Sequence, residues 1–121
     1  MVDYIYKIFT KDQWIALLVN GVFEGAPADL ADGFIHFSTA NQVAATARKH
    51  FSGVEGLVLA AVSVGKLSAQ ALRWEPARGG DLFPHLYGVL DAKLVVQSWQ
   101  LSLDSNGQHV FPADAGIIEV S

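Results

Sequence analysis

The 121-residue chain contains no cysteine, which excludes disulfides, thiolate metal centres and cysteine nucleophiles. Charge is scarce: only 17% of residues are Asp, Glu, Lys or Arg, and eight of them are basic. A nucleic-acid surface needs clustered Lys and Arg, and Arg73 and Arg78 are the one suggestive pair, so no nucleic-acid partner is expected. Long apolar runs are missing as well. The longest, LVLAAVSV at 57–64, is strand length and far short of the roughly 18 residues of a membrane span. The opening MVDYIYKIFTKD lacks a basic segment followed by an apolar one, so it does not read as a signal peptide. Repeats, low-complexity tracts and linkers are absent too. The expectation is one soluble, cytoplasmic domain over residues 1–121.

What is present is interior. Hydrophobic residues make up 51% of the chain and the net charge is −4, which suits a packed core and not a disordered chain. YIYKIF (4–9) is rich in aromatic and β-branched residues and reads as a strand. Thr10 and Gln13 fit a capping box for a helix over KDQWIALLVN, with Trp14, Leu17 and Leu18 on one face and Gly21 as its stop. VFEGAPADLADG, punctuated by Gly and Pro, reads as a loop. FIHF is a short strand. Thr39 with Gln42 gives a second capping box, for a helix over ANQVAATARKHF with Val43, Ala47 and Phe51 at four-residue spacing. LVLAAVSV reads as a central strand covered on both faces. Residues 65–91 are irregular and rich in polar and aromatic residues, a pattern more often functional than idle in a small domain. LVVQSWQLSL alternates, with Trp99, Leu101 and Leu103 on one face, and DSNGQ is a strong hairpin turn. The total is an α+β domain with two helices, about five or six strands and a mixed or largely antiparallel sheet.

Two islands of polar residues stand out. In DGFIHFST, strand alternation puts Phe34, His36 and Ser38 on one face, and Ile35 and Phe37 on the other. An imidazole and a hydroxyl then sit beside a helix start, whose free amides attract anions. LRWEPARGGDLFPHLYG holds two cations, an indole, a carboxylate, an imidazole and a phenol, and Arg73 and Glu75 share one side if extended. Each island has a plain structural reading: His36 as a buried histidine bonded to backbone, Ser38 or Thr39 as a cap, Arg73 and Glu75 as an ion pair beside a packed Trp74, and FPHLYG as an aromatic corner closed by Pro84 and Gly88. His50 and His109 read as surface positions with no role.

The two motifs together, from YIYKI through GFIHFSTANQ to FPHLYGVL, resemble an uncharacterised bacterial family labelled domain of unknown function 952. The resemblance covers nearly the whole chain. The family is grouped at fold level with ADP-ribosyltransferase-like proteins, which hold NAD in a cleft between two small sheets. Phe37-Ser38-Thr39 is similar to their aromatic-Ser-Thr strand motif. Tyr6-Lys7-Ile8-Phe9-Thr10 departs from their first-strand pattern of His or Arg before Gly-Thr, and Glu75 is the glutamate in the most suggestive context.

The leading expectation is a cleft that binds or acts on a phosphate-bearing small molecule, such as a nucleotide; NAD is what the fold grouping implies. Arg73 and Arg78 would hold phosphate through forked donors. His36 or His85 would exchange protons near neutral pH. Glu75 would orient a hydroxyl or stabilise a developing cation, Trp74 and Tyr87 would stack on a ring, and Ser38 and Thr39 would contact the ligand. One alternative is a non-catalytic ligand-binding or interaction module using the same residues. Another is a metal site of His36, His85 and Glu75.

Overall fold

A computed structural model describes residues 3–119. The chain begins with β1 (Tyr4–Phe9), α1 (Lys11–Asn20) and β2 (Val22–Phe23), followed by α2 (Pro27–Asp32), β3 (Ile35–His36) and α3 (Val43–His50). The rest is strand: β4 (Val58–Ser63), β5 (Leu72–Pro76), β6 (Leu82–Leu86), β7 (Leu90–Asp91), β8 (Val95–Gln100), β9 (Ser102–Leu103) and β10 (His109–Val110). Two three-stranded sheets, β1-β4-β8 and β3-β6-β5, carry the architecture, with the small pairs β2-β7 and β9-β10 beside them. All pairings are antiparallel, and the fold is α+β, as expected.

β4 is central, between β1 and β8, and its alternation divides the interior. Val58, Ala60 and Val62 face a core with Ile5, Phe9, Leu17 and Leu90; Leu57, Leu59 and Ala61 face a second core with Tyr6, Ile8, Val43 and Ala47. Both faces of β4 are thus dry, which explains its unbroken apolar run. α1 follows its sequence signals: the Thr10–Gln13 capping box forms and Gly21 ends the helix at φ 78°. Of its expected inner face, Leu17 is buried, whereas Leu18 is 59% exposed. The DSNGQ turn closes β9 onto β10, with the Asp104 carboxylate accepting from the amides of Asn106 and Gln108.

Three expectations change. Among the described residues there are three α-helices, not two, because 27–32 is helical. Pro27 occupies the first turn, Asp29 accepts from the Ala26 amide, and Gly33 ends the helix in the left-handed region. The irregular stretch is largely a β-hairpin, β5–β6, turned at 77–81. The second capping box is half made: the Gln42 side chain accepts from the Thr39 amide, while the Thr39 hydroxyl bonds Asn41. α3 therefore starts at Val43, after a turn, and not directly behind Ser38.

A backbone bridge joins the two large sheets. Tyr6 of β1 and Ser38, just past β3, exchange both backbone hydrogen bonds, at 2.8 and 2.9 Å.

Candidate functional site

The register of the second sheet builds the site. His36 of β3 pairs directly with His85 of β6, and His85 with Arg73 of β5. Alternation then puts Phe34, His36, Arg73, Glu75, Phe83, His85 and Tyr87 on one face. The two motifs meet: the His36 and His85 rings lie 5.4 Å apart, centroid to centroid. Phe34 stacks on His85 at 4.0 Å and touches His36 and Tyr87. His85 is buried, whereas the His36 side chain keeps 37% of its surface. The plain structural reading of His36 as a buried histidine is therefore corrected; Ile35 and Phe37 point into the interior and His36 points the other way.

Each histidine is held by carboxylates. His85 Nδ1 lies 2.9 Å from Glu75 Oε1, and the Tyr87 hydroxyl donates to the same oxygen at 2.7 Å. The bonds from Tyr87 and then His85 hold the Glu75 carboxyl below its usual range, and the bond to Glu75 pushes the Tyr87 phenol up. With Glu75 ionised, the bond requires Nδ1 of His85 to carry a hydrogen. Nε2 has no hydrogen-bond partner among the described residues.

His36 lies between two acids of α2. Its Nδ1 is 2.6 Å from Asp29 Oδ1 and its Nε2 is 2.9 Å from Asp32 Oδ2. Carboxylates only accept, so both bonds coexist only when the ring carries both protons. Asp29 is itself buried and accepts further bonds from Lys7 Nζ and from the amides of Ala26 and His36. Burial alone would raise its carboxyl, but the His36 hydrogen bond, the Lys7 charge and the two amides outweigh that and bring it to about 2. Lys7 shifts down because burial outweighs the pull of Asp29. Its ammonium also donates to the His36 carbonyl at 2.9 Å, tying β1 to β3.

These groups open onto a cleft of about 520 Å³, lined among others by Lys7, Asp29, Asp32, His36, Ser38, Thr46, His50, Arg78, Phe83 and His85. That is within the usual range for a small-molecule site. The hairpin turn delivers Arg78, whose guanidinium lies over the Phe83 ring at 5.0 Å and donates to the Thr46 hydroxyl, which also meets Ser38. His50, at the end of α3, is exposed on the rim. Burial, then the charges of Lys49, Arg78 and His36, lower its pKa.

Of the residues singled out in the sequence, His36, Ser38, Arg78 and His85 line the cleft. Glu75 and Tyr87 stand behind His85, Glu75 bonded to its ring and Tyr87 to Glu75. Arg73 lies on the Tyr87 ring at 4.5 Å, with no hydrogen-bonded bridge to Glu75 among the described residues. Trp74 projects to the other face of the hairpin opposite Pro84, and Thr39 serves the turn before α3. His109, expected at the surface, is buried and bonded to the Val54 carbonyl. The His36–His85–Glu75 metal set does not form: three of the ring nitrogens already face carboxylates, and no group of three or more His, Asp or Glu side chains is placed to hold a metal ion among the described residues.

Sequence reasoning missed Lys7, Asp29, Asp32 and Thr46. A lysine inside YIYKIF was a signal, because a buried ammonium demands an acid. Pro27 and Gly33, six residues apart, were another, because Pro favours the first turn of a helix and Gly the position past its end.

No curated protein matches the chain. Solved structures do. The crystal structure of protein CC0527 from Caulobacter crescentus is 45% identical, with a TM-score of 0.84, over 88% of this chain and 93% of that one. The solution structure of the same protein is 46% identical, with a TM-score of 0.78, over 87% and 90%. The family model described as protein of unknown function DUF952 matches residues 8–98. The island of paired histidines therefore lies within the matched region, and the chain belongs to the DUF952 family.

Proposed function

We propose that the cleft binds a phosphate-bearing small molecule, such as a nucleotide, and acts on it by proton transfer through its histidines. The observation that carries this is the convergence of two imidazoles with different hydrogen-bond partners on one cleft that also receives the Arg78 guanidinium. His85, with Nδ1 held by Glu75 and Nε2 open, is equipped as a general base, a role worth about 10²–10⁴-fold in rate. His36, bonded by carboxylates on both nitrogens, is equipped to carry and give a proton. Arg78 keeps donors for a phosphate beyond the one on Thr46. Apolar walls from Ile8, Phe37, Val43 and Phe51 suit a base or sugar face.

NAD is the particular ligand that the ADP-ribosyltransferase-like grouping would favour, and a cleft flanked by two small antiparallel sheets is in keeping with it. Glu75 stands behind His85 rather than in the cleft, so its part is to orient that ring. The reading also places the protein in the cytoplasm, with a small anion rather than nucleic acid or a membrane as its partner.

The test is a titration of the protein with NAD, ADP-ribose and inorganic phosphate, followed by amide chemical shifts. Binding should perturb β3, β6 and the 77–81 turn. Arg78→Ala and His85→Gln should each weaken it at least about tenfold, as expected for a charge-assisted or buried polar contact. Nicotinamide release from NAD, lost in His85→Gln, would establish turnover; binding without turnover would favour a ligand-binding module. Absence of binding to all three would sink the proposal.

A further inference from the structure

We infer that the Nε2 edge of His36 is an oxyanion subsite of the cleft, filled in the free protein by Asp32 as an internal stand-in for a ligand's anionic group. The inference rests on the reading of the cleft as a site for an anionic small molecule and adds which group receives one of its oxyanions. α2 presents two acids three residues apart, and both reach the same ring. Their situations differ sharply. Asp29 is 3% exposed and accepts from Lys7, the Ala26 amide, the His36 amide and the His36 ring. The Asp32 side chain is 53% exposed, and His36 is its carboxylate's partner among the described residues. Asp32 is also the last residue of α2, at the helix end whose free carbonyls disfavour a negative charge. Exposed ion pairs are weak. Asp29 is therefore a fixed part of the frame, and Asp32 is exchangeable.

When Asp32 swings aside, the Nε2–H of a ring still aligned by Asp29 is presented to the cleft. A phosphate or carboxylate oxygen can take the place of Asp32 Oδ2 and leave the bonding count unchanged. Asp32 then lowers affinity twice, by competing for the donor and by repelling the incoming anion. It selects for ligands whose oxyanion binds more strongly than a side-chain carboxylate, which favours phosphoryl groups.

The experiment titrates inorganic phosphate and, separately, acetate into wild type, Asp32→Asn, Asp32→Ala, His36→Gln and the double variant Asp32→Ala/His36→Gln, with imidazole and amide shifts as readout. Both Asp32 variants should bind phosphate about fivefold more tightly than wild type, the upper end for the loss of an exposed ion pair. The His36 ring signals should move on binding, and the gain should disappear in the double variant. A smaller gain for acetate would assign the subsite to phosphoryl groups, and an equal gain would assign it to oxyanions generally. Unchanged or weaker phosphate binding in Asp32→Ala, a gain that persists without His36, or no phosphate binding by any variant would each overturn the inference. Nucleotide binding by wild type is read independently, so the subsite can fail while the cleft proposal stands, and the reverse.

Discussion

At the scale of single residues, Asp29 organises more of the molecule than any other polar group described. It neutralises a buried ammonium, holds the Ala26 amide ahead of α2 and the His36 amide in β3, and aligns the His36 ring. Its folded-state carboxyl lies at about 2, below the unfolded value of 3.8, so the native state favours the charged form. The resulting stabilisation, roughly 2 kcal/mol, is fully present above the unfolded value and fades as pH falls through the folded one. Urea midpoints measured from pH 6 down to 2 should drop mainly below about pH 4. Asp29→Asn should cost about 3–5 kcal/mol at neutral pH, because Lys7 would remain buried without its counter-charge, and its acid slope should be flatter. A neutral-pH loss under about 1 kcal/mol would show that Lys7 finds another partner.

At the scale of elements, the second sheet is a device for registering side chains from distant stretches of chain. The β5–β6 hairpin brings Arg73, Glu75, His85 and Tyr87 to one face and leaves Arg78 at its tip. Gly79 and Gly80 make that tip, with φ of 70° and 82°. A Cβ at Gly79 would meet nothing within 4 Å, so Gly79→Ala tests backbone conformation alone. It should cost about 1–2 kcal/mol, seen as a lower melting temperature, and should loosen the Arg78–Thr46 contact without disturbing β4. Full retention of stability would mean that the tip is free to adopt another turn.

The elements also show what the sequence could tell. That the two polar islands carry specialists in apolar surroundings was legible, but the strand pairing that sets His36 opposite His85 was not, because His85 lies in the stretch that reads as irregular. β4 was legible from its continuous apolar run, and α1 from its capping box. The hairpin was not. Trp74, Leu82 and Pro84 interrupt the expected alternation: Trp74 is 37% and Leu82 is 52% exposed, while Pro84 is fully buried. α2 was hidden by its brevity, since six residues cannot display a helical period and their Pro and Gly equally signal a loop. Arg73 and Glu75 share a side if extended, and the plain structural reading makes them an ion pair. Pairing across the strands gave Glu75 to His85 and Tyr87 instead, a choice that depends on register and not on local sequence.

At the scale of the whole molecule, order should be graded. β1 and β4 pair along six residues each and are almost wholly buried, whereas 66–71 and 77–81 are short turns at the surface. Native-state amide exchange should therefore be slowest in β1 and β4 and fastest in those two turns. Exchange in β4 as quick as at the hairpin tip would contradict a core centred on that strand. No helix among the described residues is long and apolar enough to cross a membrane.

The double backbone bond between Tyr6 and Ser38 has a mechanical consequence. It fastens one sheet to the other at the floor of the cleft, and the Lys7 ammonium on the His36 carbonyl fastens them again two strand positions away. A cavity so riveted cannot gape and shut as a jaw does. On the proposed function it would behave as a mould, with its walls at their final spacing before any guest arrives, so the entropy of ordering them would be met during folding and not at binding. Selectivity in such a vessel falls to the few side chains free to turn at its lip, and the backbone of the empty and the filled protein should superimpose within about 1 Å.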